Sequence, residues 1–343
     1  MPLFNSIEWL ALQRIFFKKP KLGLEKIREG FVSPSNTLKE AENDLEYIKK
    51  FGFKLIPWDS DNYPPMLKLI YDAPLVLLAK GNWPRWEEKV WVAIVGARKA
   101  TPFGRAKTKE IVKELAAAGI GIVSGLAYGI DSEAHRACLE VGGTTWGVLG
   151  SGIDSIYPPT NFELSEKMAV NGGVLSEFPL GTKPYPAYFP QRNRVISGLS
   201  YAVIVIEAGI KSGSLITANF ALEQGREVFV IPPPKKHVAY EGTAKLLDEG
   251  AHPYESVDQL LELIQPLREV GPVPKERGKK QEAEKQRDKK SENPLLAHMK
   301  QPRSLDYLLQ ITQKPAAVLL SELSQLEAEG FVKKIPGALW QSR

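Results

Sequence analysis

From residue 90 onward the chain alternates short, near-continuous apolar runs with longer stretches whose apolar positions recur at helical spacing. The runs VWVAIVG (90–96), GIGIVSG (119–125), TTWGVLG (144–150), GVLSE (173–177), YAVIVIEA (201–208) and EVFVIPP (227–233) have strand length and little polar alternation. That is the pattern of strands buried on both faces. Helical spacing is read over 108–117, 131–140, 162–170 and 215–223. Strands alternating with helices in this way predict an α/β fold, a Rossmann-like and mostly parallel sheet with helices on both faces. Upstream, 53–82 predicts two further short strands around an Asp-Asn-Tyr-Pro-Pro turn.

The flanks differ from this core. Residues 7–17 and 38–50 are amphipathic, and Ser35 and Asn36 are suited to cap the second helix, so 1–52 is expected to be a small N-terminal helical module. Beyond 266 the composition shifts to Lys, Glu and Pro with few apolar side chains, which predicts a charged flexible linker over 267–293. Helical spacing returns near 304–311 and 316–329, followed by the apolar hairpin FVKKIPGALW. This is the order of a winged-helix domain, expected over 294–343. The α/β domain accordingly occupies 53–266.

An apolar fraction of 43% in 343 residues is enough for one ordinary α/β core with small appendages. The formal charge of +5 suits a polyanionic partner but is a weak indicator by itself. A single cysteine, Cys138, excludes an intramolecular disulfide or a cysteine-based zinc cluster and fits a reducing compartment. The N-terminal residues lack the order of a secretory signal, and no apolar run approaches the ~20 residues of a membrane span. A cytoplasmic protein without membrane contact is expected.

In an open parallel sheet, ligands bind beyond the carboxyl ends of the strands. The loops there read GARKATPFGR, SGLAYGIDSEAH, GSGIDSIYPPTN, SEFPLGTKPYPAYFPQRNR and EAGIKSGSLITAN. Neither G-x-G-x-x-G nor a P-loop occurs among them, so no dinucleotide or ATP cofactor is expected. In the first loop, Gly96 lets a helix N-terminus approach an anion and Arg98 can clasp a phosphate; the plainer alternative is strand–helix packing and a solvated charge. In the last, Ser212, Gly213 and Ser214 open a helix beside Lys211, where a serine cap and a bound phosphate compete for the same N–H groups. YFPQRNR sets Phe189 beside Arg192, Asn193 and Arg194. A base can stack on such an aromatic while arginines neutralise the flanking phosphates; alternatively Phe189 belongs to the core and the arginines to structural ion pairs.

Catalytic residues are hard to assemble. Asp131 and His135 are one helical turn apart, but no third ligand has matching spacing, so Asp131 reads as a cap or loop-bonding group and His135 as a partly buried hydrogen-bonding one. Glu207 ends a strand with no second carboxylate to work with, and Ser124 lacks a nucleophile elbow. No metal site and no catalytic set are expected.

Three segments in order, SGLAYGIDSEAHRACLEVGGTTWGVLGSGIDSIYP, GGVLSEFPLGTKPYPAYFPQRNRVISGLS and VIVIEAGIKSGSLITANFALEQGREVFVIP, resemble the DprA (Smf) family. The resemblance extends upstream through DSDNYPPMLKLIYDAPLVLLAKGN and into LLSELSQLEAEGFVKKIPGALW near the C-terminus. It implies a non-enzymatic protein that binds single-stranded DNA with little sequence preference, protects incoming strands in natural transformation, loads the RecA recombinase and works as a homodimer. It further implies that Arg98, Ser124, Gly125, Phe189, Arg192, Asn193, Arg194 and Ser212, Gly213 and Ser214 line the strand-binding pocket. Two departures stand out. After FVIP the family has a glycine and then a Ser-x-Gly-x-Asn pattern, where this chain has Pro233 and YEGTAKLL with Ala244 in the asparagine position. Pro186 takes the place of a basic residue near the FP segment, leaving Lys183 as the nearest cation there.

Two other functions remain open at this point. An enzyme acting on a nucleotide-derived small molecule would use similar glycine-rich loops, because fold alone does not choose between chemistries. A regulator reading duplex DNA would use 316–329 as its recognition helix, yet that segment carries Glu322, Glu327 and Glu329 and no Lys or Arg. Such a surface suits a protein partner better than DNA.

Overall fold

The computed structural model describes residues 3–234, 237–270, 303–312, 332–335 and 339–342, with the single positions 319, 323 and 326. Two units divide the chain, Met1–Pro274 and Lys275–Arg343. The first holds strands β1 (Lys54–Pro57), β2 (Val76–Gly81), β3 (Trp91–Val95), β4 (Gly121–Ser124), β5 (Thr145–Val148), β6 (Gly172–Ser176), β7 (Ala202–Val205), β8 (Glu227–Val230) and β9 (His252–Pro253). They form a single sheet in the order β1-β2-β6-β5-β4-β3-β7-β8-β9. From β6 to β9 all neighbours are parallel, while β1 and β2 add an antiparallel edge. The chain therefore builds outward from β3 to β6 and then returns to the other side of β3 to lay down β7. That reversal is the topological switch point of the sheet.

Side chains alternate across the sheet and bury on both faces, which is why β3 and β7 carry no polar residue and the polar Ser124 of β4 and Thr145 of β5 are hydrogen-bonded internally. On one face Ala93, Val95, Val123, Val148, Val205 and Val230 pack with Val195, Ile196 and Leu199 of helix α8 (Tyr188–Gly198) and its C-cap, and with Ala218 and Ala221 of α9 (Gly213–Glu223). On the other, Val92, Ile94, Ile122, Ile204 and Phe229 meet α5 (Pro102–Ala117), α6 (Ile130–Glu140) and α11 (Val257–Val270). Each such aliphatic side chain contributes about 1.5–3 kcal/mol on full burial.

The N-terminal helices α1 (Ser6–Phe16), α2 (Pro20–Arg28) and α3 (Ser35–Phe51) belong to the same unit. Trp9, Leu10, Leu12 and Phe16 of α1 share a core with Val76 and Leu78 of β2, Val174 of β6 and Met168 of α7 (Phe162–Met168). Gln13 reaches further, its Nε2 donating to the Glu177 carbonyl oxygen at 2.8 Å. The expected small module is thus fastened to the end of the sheet that carries β6.

Three features depart from the sequence pattern. The loop expected over 178–194 contains the start of α8, because Pro190 sits in the first turn, where its missing N–H costs nothing, and apolar residues at helical spacing begin only at Val195. Between β1 and β2 lies the short α4 (Pro65–Lys68), and beyond β8 the chain continues through a 3-10 turn, Val238–Tyr240, into α10 (Glu241–Asp248), β9 and α11. Helix α11 runs to Val270, past the start of the expected linker, whose remainder at 271–293 lies outside the described residues. In the second unit, β10 (Arg303–Ser304), β11 (Val332–Ile335) and β12 (Leu339–Ser342) form an antiparallel sheet in the order β10-β12-β11, with α12 (Leu305–Thr312) following β10. Leu308, Leu319, Leu323, Leu326 and Val332 are buried together. Apart from those three leucine positions, the second helix expected over 316–329 lies outside the described residues. No helix among the described residues is long and apolar enough to cross a membrane.

Because Trp9 is 1% exposed in a core shared by α1 and β2, Trp9→Ala is expected to cost about 3–5 kcal/mol. Denaturant unfolding should show the N-terminal helices and the sheet lost in one transition. A separate early transition confined to the helices would contradict their common core.

Candidate functional site

A cleft of about 550 Å3 opens where β3 and β7 end side by side. Gly96, Ala97 and Arg98 after β3 form one wall; Gly209, Lys211, Ser212, Gly213 and Ser214 after β7 form another. Phe189, Arg192 and Asn193 of α8 make the floor between them. Gly129, with φ +78°, begins α6 where its missing side chain leaves room for the carbonyl oxygens of Ala97 and Arg98. That close approach holds the Arg98 loop against the sheet.

The floor is built from α8. Arg192 lies one turn after Phe189 and is 3% exposed. Its Nη1 donates to the Gly125 carbonyl oxygen at 2.7 Å and to that of Val148, and its Nε donates to Asn193 Oδ1 at 3.1 Å. Burial pushes Arg192 down to about 10; Asp131 opposes that shift and Arg98 adds to it, and the group stays cationic near neutral pH. Burial pushes the Asp131 carboxyl up, while Arg192 and the N–H groups of Ala127 and Gly125 favour its charged form. Gly125 has no space for a side chain between them: a Cβ there would stand 2.6 Å from Asp131 Oδ2 and 2.7 Å from Arg192 Nη2.

Phe189 is half-buried and stays at the cleft surface. The Cζ of Arg98 lies 5.1 Å from its ring centroid and that of Arg192 5.8 Å, both within cation–π range. Gly150 at the end of β5 lets the ring lie close, and Tyr157 flanks it at 5.6 Å. Neither Gly150 nor Tyr157 carries a sequence signal for this role beyond a glycine ending a strand. Arg98 and Lys211 are exposed and have no carboxylate partner among the described residues. At the second wall, Ser212 caps α9, accepting from the Ser214 N–H, and the two serine hydroxyls lie 2.7 Å apart. Asn193 Nδ2 donates to the Gly213 carbonyl oxygen at 3.2 Å, joining α8 to this turn.

Eight of the residues singled out from the sequence thus converge on one cleft: Arg98, Phe189, Arg192, Asn193, Lys211, Ser212, Gly213 and Ser214. Three do not line it. Arg194 is buried behind the floor, its Nε 2.8 Å from Asp72 and its Nη2 paired with Glu177, so there the structural ion pair is what the structure shows. Ser124 is wholly buried and its hydroxyl donates to the Ile94 carbonyl oxygen at 2.6 Å. Gly125 acts from beneath, as the spacer between Asp131 and Arg192.

The first loop also differs from the anion-binding expectation. Glu207 reaches the N-terminus of α5, where Oε1 accepts from the Thr101 N–H and Oε2 from the Thr101 hydroxyl, each at 2.7 Å. Its carboxylate presses against Gly104, so this helix end is already occupied by an internal anion. Gly96 serves packing, since a Cβ there would stand 2.6 Å from Ile130 Cγ1. His135 is buried with Nδ1 2.7 Å from Thr145 Oγ1, and burial, with Arg136 and Arg192, lowers it to about 3. No cluster of metal-ligating residues occurs among the described residues.

Comparison with known proteins agrees with this architecture. Residues 54–265 match the family described as DNA recombination-mediator protein A. Protein Smf of Synechocystis is 37% identical over 347 residues, covering 93% of this chain and 87% of the relative. The chain belongs to the DNA recombination-mediator protein A family. Among solved structures, DNA processing protein A (DprA) of Streptococcus pneumoniae superposes with a TM-score of 0.66 at 33% identity, covering 76% of this chain and 98% of that one. DNA processing protein A of Helicobacter pylori, which binds single-stranded DNA, gives a TM-score of 0.54 at 29% identity, covering 64% and 97%. The family match runs from β1 into α11 and so contains every residue of the cleft. The family departure over 240–247 falls on α10, whose Gly242 and Thr243 N–H groups donate to the Ala208 carbonyl oxygen at 2.8 and 3.2 Å. Ala244 lines a separate depression with Tyr240 and Glu241 and is not among the cleft-lining residues.

The buried His135 gives a pH dependence with a definite sign. Its folded value is depressed, so the unfolded chain binds the extra proton, and stability is lost as pH falls from 6.5 toward about 3. His135→Gln should flatten the slope of unfolding free energy against pH in that window, whatever its offset at neutral pH. An unchanged slope would show that His135 does not stay neutral in the folded protein.

Proposed function

We propose that the cleft binds single-stranded DNA with little sequence preference, and that the protein protects incoming strands and loads the RecA recombinase onto them during natural transformation. One observation carries this reading: Phe189 lies at the cleft surface within cation–π distance of two guanidinium groups, beside the Ser212-capped start of α9, in a single cleft. A base stacks on Phe189; Arg98, Lys211 and the α9 N–H groups meet the adjoining phosphates. Stacking and phosphate contact read no base edge, which accounts for low sequence preference.

Its role is binding rather than catalysis. Glu207 is committed to the α5 cap and His135 to Thr145, away from the cleft lining; Asp131 does line the cleft, but its carboxylate accepts from the Gly125 and Ala127 N–H groups and faces Arg192, so it stands as a structural counter-charge without a second acid or base beside it. In the same reading the protein is a cytoplasmic homodimer, 1–52 is a helical module on an α/β domain over 53–266, 267–293 is a linker, and 294–343 is a winged-helix domain that meets a protein partner. The family membership and the relatives named for DNA processing support the assignment.

A salt titration with labelled oligothymidylate and the matching duplex tests it. Single-strand affinity should exceed duplex affinity and fall with salt; equal affinities or salt independence would overturn the reading. Arg98→Ala should reduce the logarithmic salt slope by about 0.7, the contribution of one phosphate contact on a single strand. Phe189→Ala should lose about 1–3 kcal/mol with the slope unchanged. Equal slopes in the two variants would contradict this division of roles.

A further inference from the structure

A cleft of about 550 Å3 has the size of a small-molecule site, so a polymer held there has to leave over the rim. One rim carries aromatic side chains. Pro186 and Pro190 line the cleft, and between them Tyr188 turns away from it toward the N-terminal helices. The Tyr188 ring lies 5.6 Å from Tyr185 and 6.1 Å from Phe17, the residue that ends α1. Tyr185 is 60% exposed, and Lys18 places Nζ 5.5 Å from the Phe17 centroid. Lys18, Lys19 and Lys183 are exposed and have no carboxylate partner among the described residues.

This row is held in place. The Tyr188 N–H donates to the Tyr185 carbonyl oxygen at 2.9 Å, and Pro184 and Pro186 flank Tyr185. Gln191 Nε2, from the cleft helix α8, donates to the Phe17 carbonyl oxygen at 2.7 Å. With the Gln13 bond to Glu177, α1 is thereby tied twice to the segment that forms the rim. Burial alone does not require these amide ties or an exposed tyrosine between two prolines.

From this we infer that the rim Tyr185–Tyr188–Phe17, with Lys18 and Lys19, is a second contact surface for the same single strand, continuing the path of the chain out of the cleft and onto the end of α1. The exposed Tyr185, followed by the half-buried rings of Tyr188 and Phe17 that rest on the buried Phe178, and flanked by lysines without a carboxylate partner among the described residues, offers the aromatic and cationic groups that a sequence-tolerant single-strand track requires, and its continuity with Pro186 and Phe189 sets its starting point. The inference rests on the cleft being the strand site. It gives the N-terminal helices a function: they lengthen the site.

Binding as a function of oligothymidylate length tests it. Oligomers of roughly 4 and roughly 16 nucleotides span the range of single-strand site sizes. The triple variant Tyr185→Ala, Lys18→Ala, Lys19→Ala changes only residues outside the cleft lining, and its unfolding transition serves as the check on folding. It should bind the long oligomer about tenfold more weakly, with a salt slope reduced by about 0.7 per lysine, and bind the short oligomer as the unmodified protein does. Undiminished affinity for the long oligomer, or the same loss at both lengths, overturns the track. If the unmodified protein binds neither length, the cleft reading itself fails and the track with it. If it binds the short oligomer through Phe189 while the triple variant keeps full affinity for the long one, the track alone fails.

Discussion

Arg192 fastens the cleft. Its guanidinium lies beneath the carboxyl ends of β4 and β5, donating to the Gly125 and Val148 carbonyl oxygens while it faces Asp131. A buried charge of this kind is tolerated only when paired and hydrogen-bonded, and removing one partner of such a pair costs about 3–5 kcal/mol. The arrangement fixes the position of α8 on the sheet. Phe189, one turn earlier, is thereby set into the cleft over Gly150, and Asn193, the next residue, is set against the Gly213 turn that begins α9. A single helix, held by Arg192 together with the Arg194 ion pairs and its packed apolar face, gathers at one cleft an aromatic surface, a cation and a helix N-terminus.

Much of this was legible in the amino-acid sequence, and for physical reasons. The strands WVAIV and AVIV are buried on both faces and therefore lack polar positions, so both the sheet and the loops at its carboxyl ends could be located. Helix α8 was hidden because its exposed first turn faces the cleft and carries YFPQRN, with no apolar period until Val195. Arg192 and Arg194 are indistinguishable in sequence, yet they point to different sides of that helix. One reaches the cleft and Asp131; the other pairs with Glu177 and Asp72 behind it. Side-chain direction on a helix separates them, and that direction is known only once the helix is.

Glu207 shows the converse case. A glycine-ended strand leading into a helix invites an anion at the helix N-terminus, and the anion found there is the protein's own. The sheet thus offers helix ends of two kinds on either side of its switch point. The α5 end is closed by Glu207, whereas the α9 end, capped by Ser212, opens on the cleft beside Lys211. The altered segment over 240–247 lies beyond these elements. Its N–H groups bind Ala208, Tyr240 approaches Thr101 at 3.1 Å, and Gly242 lies against the Gly209 carbonyl oxygen and Leu215, so it buttresses both the closed end and the backbone of the open one.

The central claim concerns where a strand lies. A crystal structure of the protein with a short oligothymidylate tests it most directly. The account predicts a base stacked on the Phe189 ring, an adjoining phosphate within hydrogen-bonding distance of Arg98 or the Ser212–Ser214 turn, and Arg194 untouched. A strand bound elsewhere on the sheet, with the cleft between β3 and β7 unoccupied, would contradict it.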